Sequence, residues 1–191
     1  IEPLGGAPTA PEAAAIAAVN HTVEVRLAAD DEFRAFYGST WSSNASARVE
    51  AADDKLFSNW GIDLVVKQIV TADTTDGTRD LCGAIWPEIR GEITEGIYDI
   101  AITFVKNPWS GPSAGCASPG YDRFIVGYQG PTADWQVTRH EMSHLYGLDD
   151  ASGSVHPNDI MENPYSYPNS WCSHPDWEHY DTMTFNAGKY G

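Results

Sequence analysis

Two histidines spaced four residues apart are the side chains of this sequence best suited to hold a metal ion. On a helix, His140 and His144 lie about 40° apart around the axis, so both imidazoles project from one face, one turn apart. Imidazole suits Zn²⁺ among the divalent metals, and a catalytic zinc site uses three protein ligands while its fourth position stays open. The spacing therefore predicts a metal site on a helix, with a third ligand from elsewhere.

The third ligand must come from beyond the helix, because nothing further along the same face closes a tetrahedron unless the backbone turns. Gly147 can provide that turn, since glycine accepts a positive φ and commonly follows the last helical residue. Asp150 comes three residues later and can bring a carboxylate back towards the two imidazoles. Glu141 is adjacent to the first histidine but off the ligand face, which predicts a general base for a water molecule at the site.

The stretch from His140 to Asp150, followed by Met161, resembles the metzincin clan of zinc endopeptidases. In that clan the pattern HExxHxxGxx precedes a further ligand and a turn that carries a methionine. Most members have histidine as the last ligand, and Asp150 resembles the aspartate variant of small secreted bacterial proteases of the snapalysin type. The resemblance is specific over residues 138–164 and architectural before them.

The resemblance implies a zinc-dependent endopeptidase that hydrolyses internal peptide bonds of proteins or peptides. It implies one catalytic Zn²⁺ bound by His140, His144 and Asp150, with Glu141 as general base and Met161 as a hydrophobic floor. Tyr165 is a candidate hydrogen-bond donor to the transition state, as a tyrosine is in some metzincins. There the tyrosine lies two residues after the methionine, whereas here it lies four residues after it.

Other readings of the site remain open at this point. His156 lies between the helix and Met161 and rivals Asp150 as third ligand, while Glu162 or Glu178 would fill that place in a gluzincin-like layout. A gluzincin- or deuterolysin-like peptidase would still bind metal after Asp150→Ala. A non-catalytic zinc-binding module is disfavoured by the intact Glu141, and a hydrolase of non-peptide substrates is distinguished only by assay.

The patterning before the motif predicts an α+β fold of metzincin type. Alternating or β-branched apolar stretches predict sheet strands, and an amphipathic stretch that ends at Gly61 predicts a helix behind the sheet. We expect a twisted mixed sheet of about four to five strands, a backing helix, the active-site helix and a largely irregular C-terminal lobe. The expected strands are 21–27, 62–70, 98–105 and 124–128, the backing helix is 41–60, and 82–94 is expected to be irregular.

Length and composition favour one catalytic domain over residues 1–191, with lobes 1–147 and 148–191. The formal charge of −16 argues against nucleic acid and anionic membranes as partners, so we expect a protein or peptide substrate and a monomer. Because the sequence begins at Ile1, we expect a secreted protein from which a signal peptide and an inhibitory propeptide were removed. Calcium is a further candidate cofactor, through the acidic pairs Asp30-Asp31, Asp53-Asp54 and Asp149-Asp150.

Three cysteines, Cys82, Cys116 and Cys172, leave one unpaired if a disulfide bond forms. The resemblance to the reprolysin branch of the clan implies a bond between Cys116 and Cys172, with Cys82 left over. The alternative is three reduced thiols in the protein interior.

Overall fold

A five-stranded sheet forms the centre of the computed structural model, which describes residues 20–118, 120–152, 159–163 and 178–190. The strand order is β2-β1-β4-β7-β6. The first four of these strands run parallel to one another, and β6 pairs antiparallel with β7. The strands are β1 His21–Ala29, β2 Ile62–Thr71, β4 Ile100–Val105, β6 Gly115–Ala117 and β7 Arg123–Gly127.

Helices cover both faces of this sheet. The backing helix α2 and the helix α4 pack on one face, where Val49, Leu56 and Val137 join the apolar side chains of β1 in one core cluster. The helix α3 packs on the other face, where Ile89 meets Ile125 in a second cluster. The helices are α1 Asp31–Tyr37, α2 Trp41–Trp60, α3 Trp86–Glu92, α4 Pro131–Leu145 and α5 Glu178–Asn186.

Short elements complete the described fold. Two small parallel ribbons pair β3 with β5 and β8 with β9. A 3₁₀ turn leads into α2, a π-helical turn leads into α3, and a second 3₁₀ turn follows α5. These elements are β3 Arg79–Asp80, β5 Trp109–Ser110, β8 Ala151–Ser152 and β9 Glu162–Asn163, with turns Gly38–Thr40, Leu81–Ile85 and Ala187–Lys189. No helix among the described residues is long and apolar enough to cross a bilayer.

The expected α+β architecture is confirmed, including the backing helix that ends where Gly61 adopts φ 67°. One local expectation is wrong. Residues 82–94 are largely helical, because Pro87 lies in the first turn of α3, where its missing N–H is no loss. The described part of the C-terminal lobe includes the helix α5, whose amphipathic pattern is weak in the sequence.

The disulfide bond joins Cys82 to Cys116, so the expected Cys116–Cys172 pairing is wrong. The Cα atoms of the two bonded residues lie 5.6 Å apart, because the helical turn before α3 packs directly against β6. The sequence predicts no structure for the segment around Cys82 and so gives no reason to place it there. Cys172 lies outside the described residues.

Candidate metal centre

The helix α4 carries both histidines and is fixed to the backing helix by buried polar contacts. Arg48 of α2 donates to Asp134 in the first turn of α4 at 2.7 Å, and both side chains are buried. The guanidinium Nε of Arg139, next to His140, donates to the Ala52 carbonyl at 3.0 Å. These contacts set the position of the helix face from which the histidines project.

The chain reverses direction directly after α4, and this turn brings Asp150 to the two histidines. Gly147 has φ 93°, a conformation that side-chain-bearing residues rarely adopt. The Gly147 N–H donates to the His144 carbonyl at 2.9 Å, and the Leu148 N–H donates to the Ser143 carbonyl at 3.2 Å. These two bonds cap the C-terminal end of the helix. The turn expected at Gly147 is therefore present.

Three candidate ligand atoms converge at the end of this turn. Nε2 of His140 lies 3.2 Å from Nε2 of His144 and 3.2 Å from Oδ1 of Asp150, and the His144–Asp150 distance is 3.5 Å. A tetrahedral zinc ion with bonds of about 2.0–2.2 Å needs ligand atoms about 3.3–3.6 Å apart. The two nitrogens and one oxygen therefore have the chemistry and the mutual distances that such an ion requires.

Backbone carbonyls orient both imidazoles. Nδ1 of His140 lies 2.7 Å from the Ile160 carbonyl, and Nδ1 of His144 lies 2.7 Å from the Leu148 carbonyl. A carbonyl accepts but cannot donate, so each Nδ1 carries the proton and each Nε2 keeps its lone pair for a metal. Sequence reasoning missed these two partners, because a backbone carbonyl leaves no signal in residue type.

The electrostatics of the cluster favour a positive charge among the three side chains. Burial disfavours protonation of His140, but the carboxylates of Asp150 and Glu141 outweigh burial and raise the pKa of His140 to about 9. Hydrogen bonds from His140 and His144 hold the pKa of Asp150 well below its usual range. A bound cation supplies the positive charge that a proton supplies in its absence, so these residues fit a metal ion.

Glu141 lies beside the cluster and is withdrawn from water. Its side chain is 4 % exposed, and its Oε1 lies 4.0 Å from Nε2 of His140. The pKa of Glu141 is raised, chiefly because burial penalises the carboxylate, while the two histidines and the backbone N–H of Ala117 act in the opposite direction. A carboxylate with a raised pKa accepts a proton more readily, as a general base must.

Met161 is fully buried and lies in a short turn close to His140. The carboxylate of Asp159 accepts from the Met161 N–H at 2.7 Å and lies 3.1 Å from Nδ1 of His179. No pattern in the sequence predicts His179 at this position. The structure therefore brings the Met161 segment to the histidines through the Ile160 carbonyl. Tyr165 and the rival ligand His156 lie outside the described residues.

Two of the acidic residues suggested for calcium bond backbone groups instead. Asp30 accepts from the backbone N–H groups of Phe33, Lys106 and Asn107, and Asp53 accepts from that of Leu64. Asp31 of the first pair has a carboxylate oxygen within 4.8 Å of oxygens of Glu32 and Asp76. No calcium site is assigned to this group.

An open cleft of about 260 Å³ runs between the metal ligands and β6. The strand β6 lies at one end of the sheet and pairs with β7 on one side. The disulfide-bonded Cys82 and Trp86 also line the cleft. The cleft therefore places an edge strand, two imidazoles and two carboxylates around one space.

Comparison with known proteins supports this reading of the fold. Metalloproteinase-II from Bacteroides fragilis superposes with a TM-score of 0.59 at 17% sequence identity, over 87% of this chain and 53% of that protein. A protein in the structure of a chaperone–substrate complex superposes with a TM-score of 0.61 at 16% identity, over 89% of this chain and 38% of its own. The chain thus spans about half or less of these structures, and identities this low establish the fold alone.

The family model Reprolysin_5, which describes the metallo-peptidase family M12, matches residues 19–183. A search of curated proteins finds no match. The matched region includes the sheet, the backing helix, the active-site helix and the segment of Met161, and it exceeds half of the chain. On these grounds the chain belongs to the metallo-peptidase family M12.

Proposed function

We propose that this family member is a secreted zinc endopeptidase that hydrolyses internal peptide bonds. One observation carries the proposal: Nε2 of His140, Nε2 of His144 and Oδ1 of Asp150 converge within 3.5 Å of one another, beside the buried carboxylate of Glu141. The chain supplies in this way three ligands and a base, and the cleft gives them access to a substrate.

Zinc held there would polarise the scissile carbonyl and acidify the attacking water. Glu141 would accept the proton of that water on its carboxylate and then deliver it to the leaving amine. The raised pKa of Glu141 suits both transfers, because a weaker acid holds the proton between them. The carbonyls of Ile160 and Leu148 would keep His140 and His144 in the ligating tautomer throughout.

Within the family, we assign the chain to the aspartate variant of the HExxHxxGxx pattern. The turn at Gly147 brings Oδ1 of Asp150 to both imidazoles, which supports Asp150 as the third ligand. Met161 would be the methionine of the turn, since the carbonyl before it is bonded to His140. The role of Tyr165 as a transition-state donor stays a prediction.

The substrate would be an extended protein or peptide segment that adds as a strand to the edge of β6 that faces away from β7. A net charge of −16 disfavours nucleic acids and anionic membranes as partners. The Cys82–Cys116 bond supports an oxidising compartment, in keeping with export, and a propeptide would then keep the enzyme inactive before release. We propose that it acts as a monomer.

Metal content and casein hydrolysis of three variants test the proposed function. Glu141→Gln should keep stoichiometric zinc and lose about 10²–10⁴-fold in kcat, because it removes only the base. Asp150→Ala should lose both zinc and activity, because it removes a ligand. Asp149→Ala is the matched control, since its exposed carboxylate is adjacent in sequence, and it should retain zinc and activity.

Each alternative has its own outcome in the same experiment. Zinc retained in Asp150→Ala would assign the third ligand to another residue, as in a gluzincin-like peptidase. Zinc binding without hydrolysis of casein in the parent protein would indicate a binding module or a hydrolase of non-peptide substrates. Parent protein that takes up no transition metal would exclude the proposal.

A further inference from the structure

The edge strand β6 approaches the side chain of Glu141 at a glycine. A Cβ atom added to Gly115 would lie 2.6 Å from Cγ of Glu141 and 2.7 Å from its carboxyl carbon. Carbon atoms in contact prefer separations of about 3.5–4.0 Å. Gly115 and Glu141 therefore cannot keep their present positions if residue 115 carries a side chain.

The face of β6 that meets Glu141 follows from the strand's alternation. Residues 115 and 117 of a strand point to the same face, and Cys116 points to the other. This alternation is visible in the packing, since Ala117 packs against the core on the α4 side whereas Cys116 belongs to the cluster on the α3 side. Glu141 thus lies against the bare Cα of Gly115, on the face of β6 to which Ala117 also points.

Pairing with β7 and the disulfide bond to Cys82 hold β6 in its position. Gly115 pairs with Val126 and Ala117 with Phe124 in the sheet, and the Gly127 N–H donates to the Ala114 carbonyl at 2.8 Å. On the α3 side, the disulfide bond to Cys82 fixes the strand between these two residues. Glu141, by contrast, is a side chain with rotatable bonds. A larger residue at position 115 would therefore displace the Glu141 carboxylate and leave the strand in place.

We propose that Gly115 is a positioning residue for the general base. The inference rests on the proposed function, in which Glu141 moves the proton. Because residue 115 has no side chain, the Glu141 carboxylate keeps its place beside His140. The nearest atoms to a Cβ at residue 115 belong to Glu141 and not to a metal ligand. A substitution at residue 115 should therefore impair catalysis and leave zinc binding intact.

The test compares Gly115→Ala, Glu141→Gln and the double variant in the zinc-loaded full chain. The probe is an internally quenched peptide that contains a bond cleaved in casein. Gly115→Ala should lower kcat by about 10²-fold or more, as expected when general base catalysis is lost. Its KM, zinc affinity and melting temperature should stay close to those of the parent. The double variant should be no slower than Glu141→Gln alone, because both changes remove the same function.

Two further glycine variants control for packing. Gly91→Ala, on the exposed side of α3, introduces a Cβ with nothing within 4 Å and should leave kcat unchanged. Gly127→Ala places a Cβ 2.9 Å from the Trp109 ring and 3.1 Å from the Ala114 carbonyl, so it disturbs the neighbouring strand without touching Glu141. It should lower the melting temperature more than Gly115→Ala does, and kcat less.

The outcomes separate this inference from the proposed function. Parent-like kcat in Glu141→Gln would refute the role of the base itself. Loss of activity in Glu141→Gln with parent-like kcat in Gly115→Ala would refute only the positioning role. A multiplicative loss in the double variant would also overturn it, as would a large fall in zinc affinity or melting temperature of Gly115→Ala, because the strand would then have moved instead of the side chain.

Discussion

At the scale of single residues, the site is a set of groups whose charges depend on one another. Asp150 keeps its negative charge because two imidazoles bond it, and His140 gains a proton in the metal-free site because carboxylates surround it. The sequence pointed to candidate ligands and a candidate base, since these are properties of side chains. It did not predict Gly115 as a neighbour of Glu141, because a glycine carries no chemistry of its own to notice.

These charges predict how zinc affinity depends on pH. The pKa of His140 rises from an ordinary 6.5 to about 9, so a cation must displace a proton below that pH. Apparent zinc affinity should therefore rise about tenfold per pH unit from neutral pH up to about 9 and then level off. In Asp150→Asn the zinc affinity should stop rising at a pH nearer the ordinary histidine pKa of 6.5, because His140 loses its bonded carboxylate.

Competition with a zinc-chelating dye, corrected for the dye's own titration, measures this dependence. The melting temperature of the metal-free protein gives an independent check. Protonated His140 stabilises the folded protein, because its pKa is higher in the folded state than in the unfolded state. This stabilisation is fully present below the unfolded-state pKa of about 6.5 and is lost as the pH rises through about 9. The metal-free protein should thus melt lower at pH 9 than at pH 6.5, and the difference should shrink in Asp150→Asn. A zinc affinity that stays flat between these values would contradict the prediction.

At the scale of elements, the end of the active-site helix is held by the C-terminal region. Lys189 donates to the Leu145 carbonyl at 2.6 Å, and Asn186 donates to the Tyr146 carbonyl at 2.6 Å. These are carbonyls of the last turn of α4, which lack partners within the helix and attract positive charge. The Gly147 turn that carries Asp150 begins directly after them, so the C-terminal segment supports the position of Asp150.

Removal of this support should weaken zinc binding. Each lost hydrogen bond costs about 1 kcal/mol, so Asn186→Ala combined with Lys189→Ala should lower zinc affinity by up to roughly thirtyfold. Chelator competition at constant pH measures the effect. Lys67→Ala is the control, since Lys67 makes a surface ion pair with Glu24 at 3.4 Å and should leave affinity unchanged. Equal affinity in the double variant and the parent would show that Asp150 is placed without the C-terminal segment.

Elements also show where sequence patterns fail. Strand alternation in β1 and the apolar repeat of α2 predicted those elements closely, because each packs one face against the core. The helix α3 was missed because glycine and proline obscure its pattern, although Pro87 lies where a helix tolerates it. The Cys82–Cys116 bond was missed for the same reason, since it depends on where that helical turn packs.

At the scale of the whole molecule, 27 acidic and 11 basic residues give a field that attracts cations. Such a field raises the local concentration of oppositely charged substrates and is screened by salt. The protein should therefore associate faster with basic peptides than with acidic ones. This preference for basic peptides arises from the net charge of the whole protein and not from a single residue of the cleft.

The prediction is a salt dependence that follows substrate charge. Between about 20 and 200 mM NaCl, kcat/KM should fall several-fold for a peptide flanked by lysines and stay nearly constant for a neutral peptide with the same scissile bond. A glutamate-flanked peptide should show the opposite trend and serves as the control for direct effects of salt on the enzyme. Identical trends for all three peptides would refute electrostatic steering.

The sequence by itself determined the chemistry of this protein: which side chains can bind a metal, which can accept a proton, and the helical spacing that puts two histidines on one face. Those facts are local, because they follow from residue type and from the geometry of a single helix. Only the tertiary structure decided what surrounds them. The carbonyls that orient the imidazoles, the glycine beside Glu141 and the partner of Cys116 come from segments distant in sequence, and such contacts arise when the layers pack.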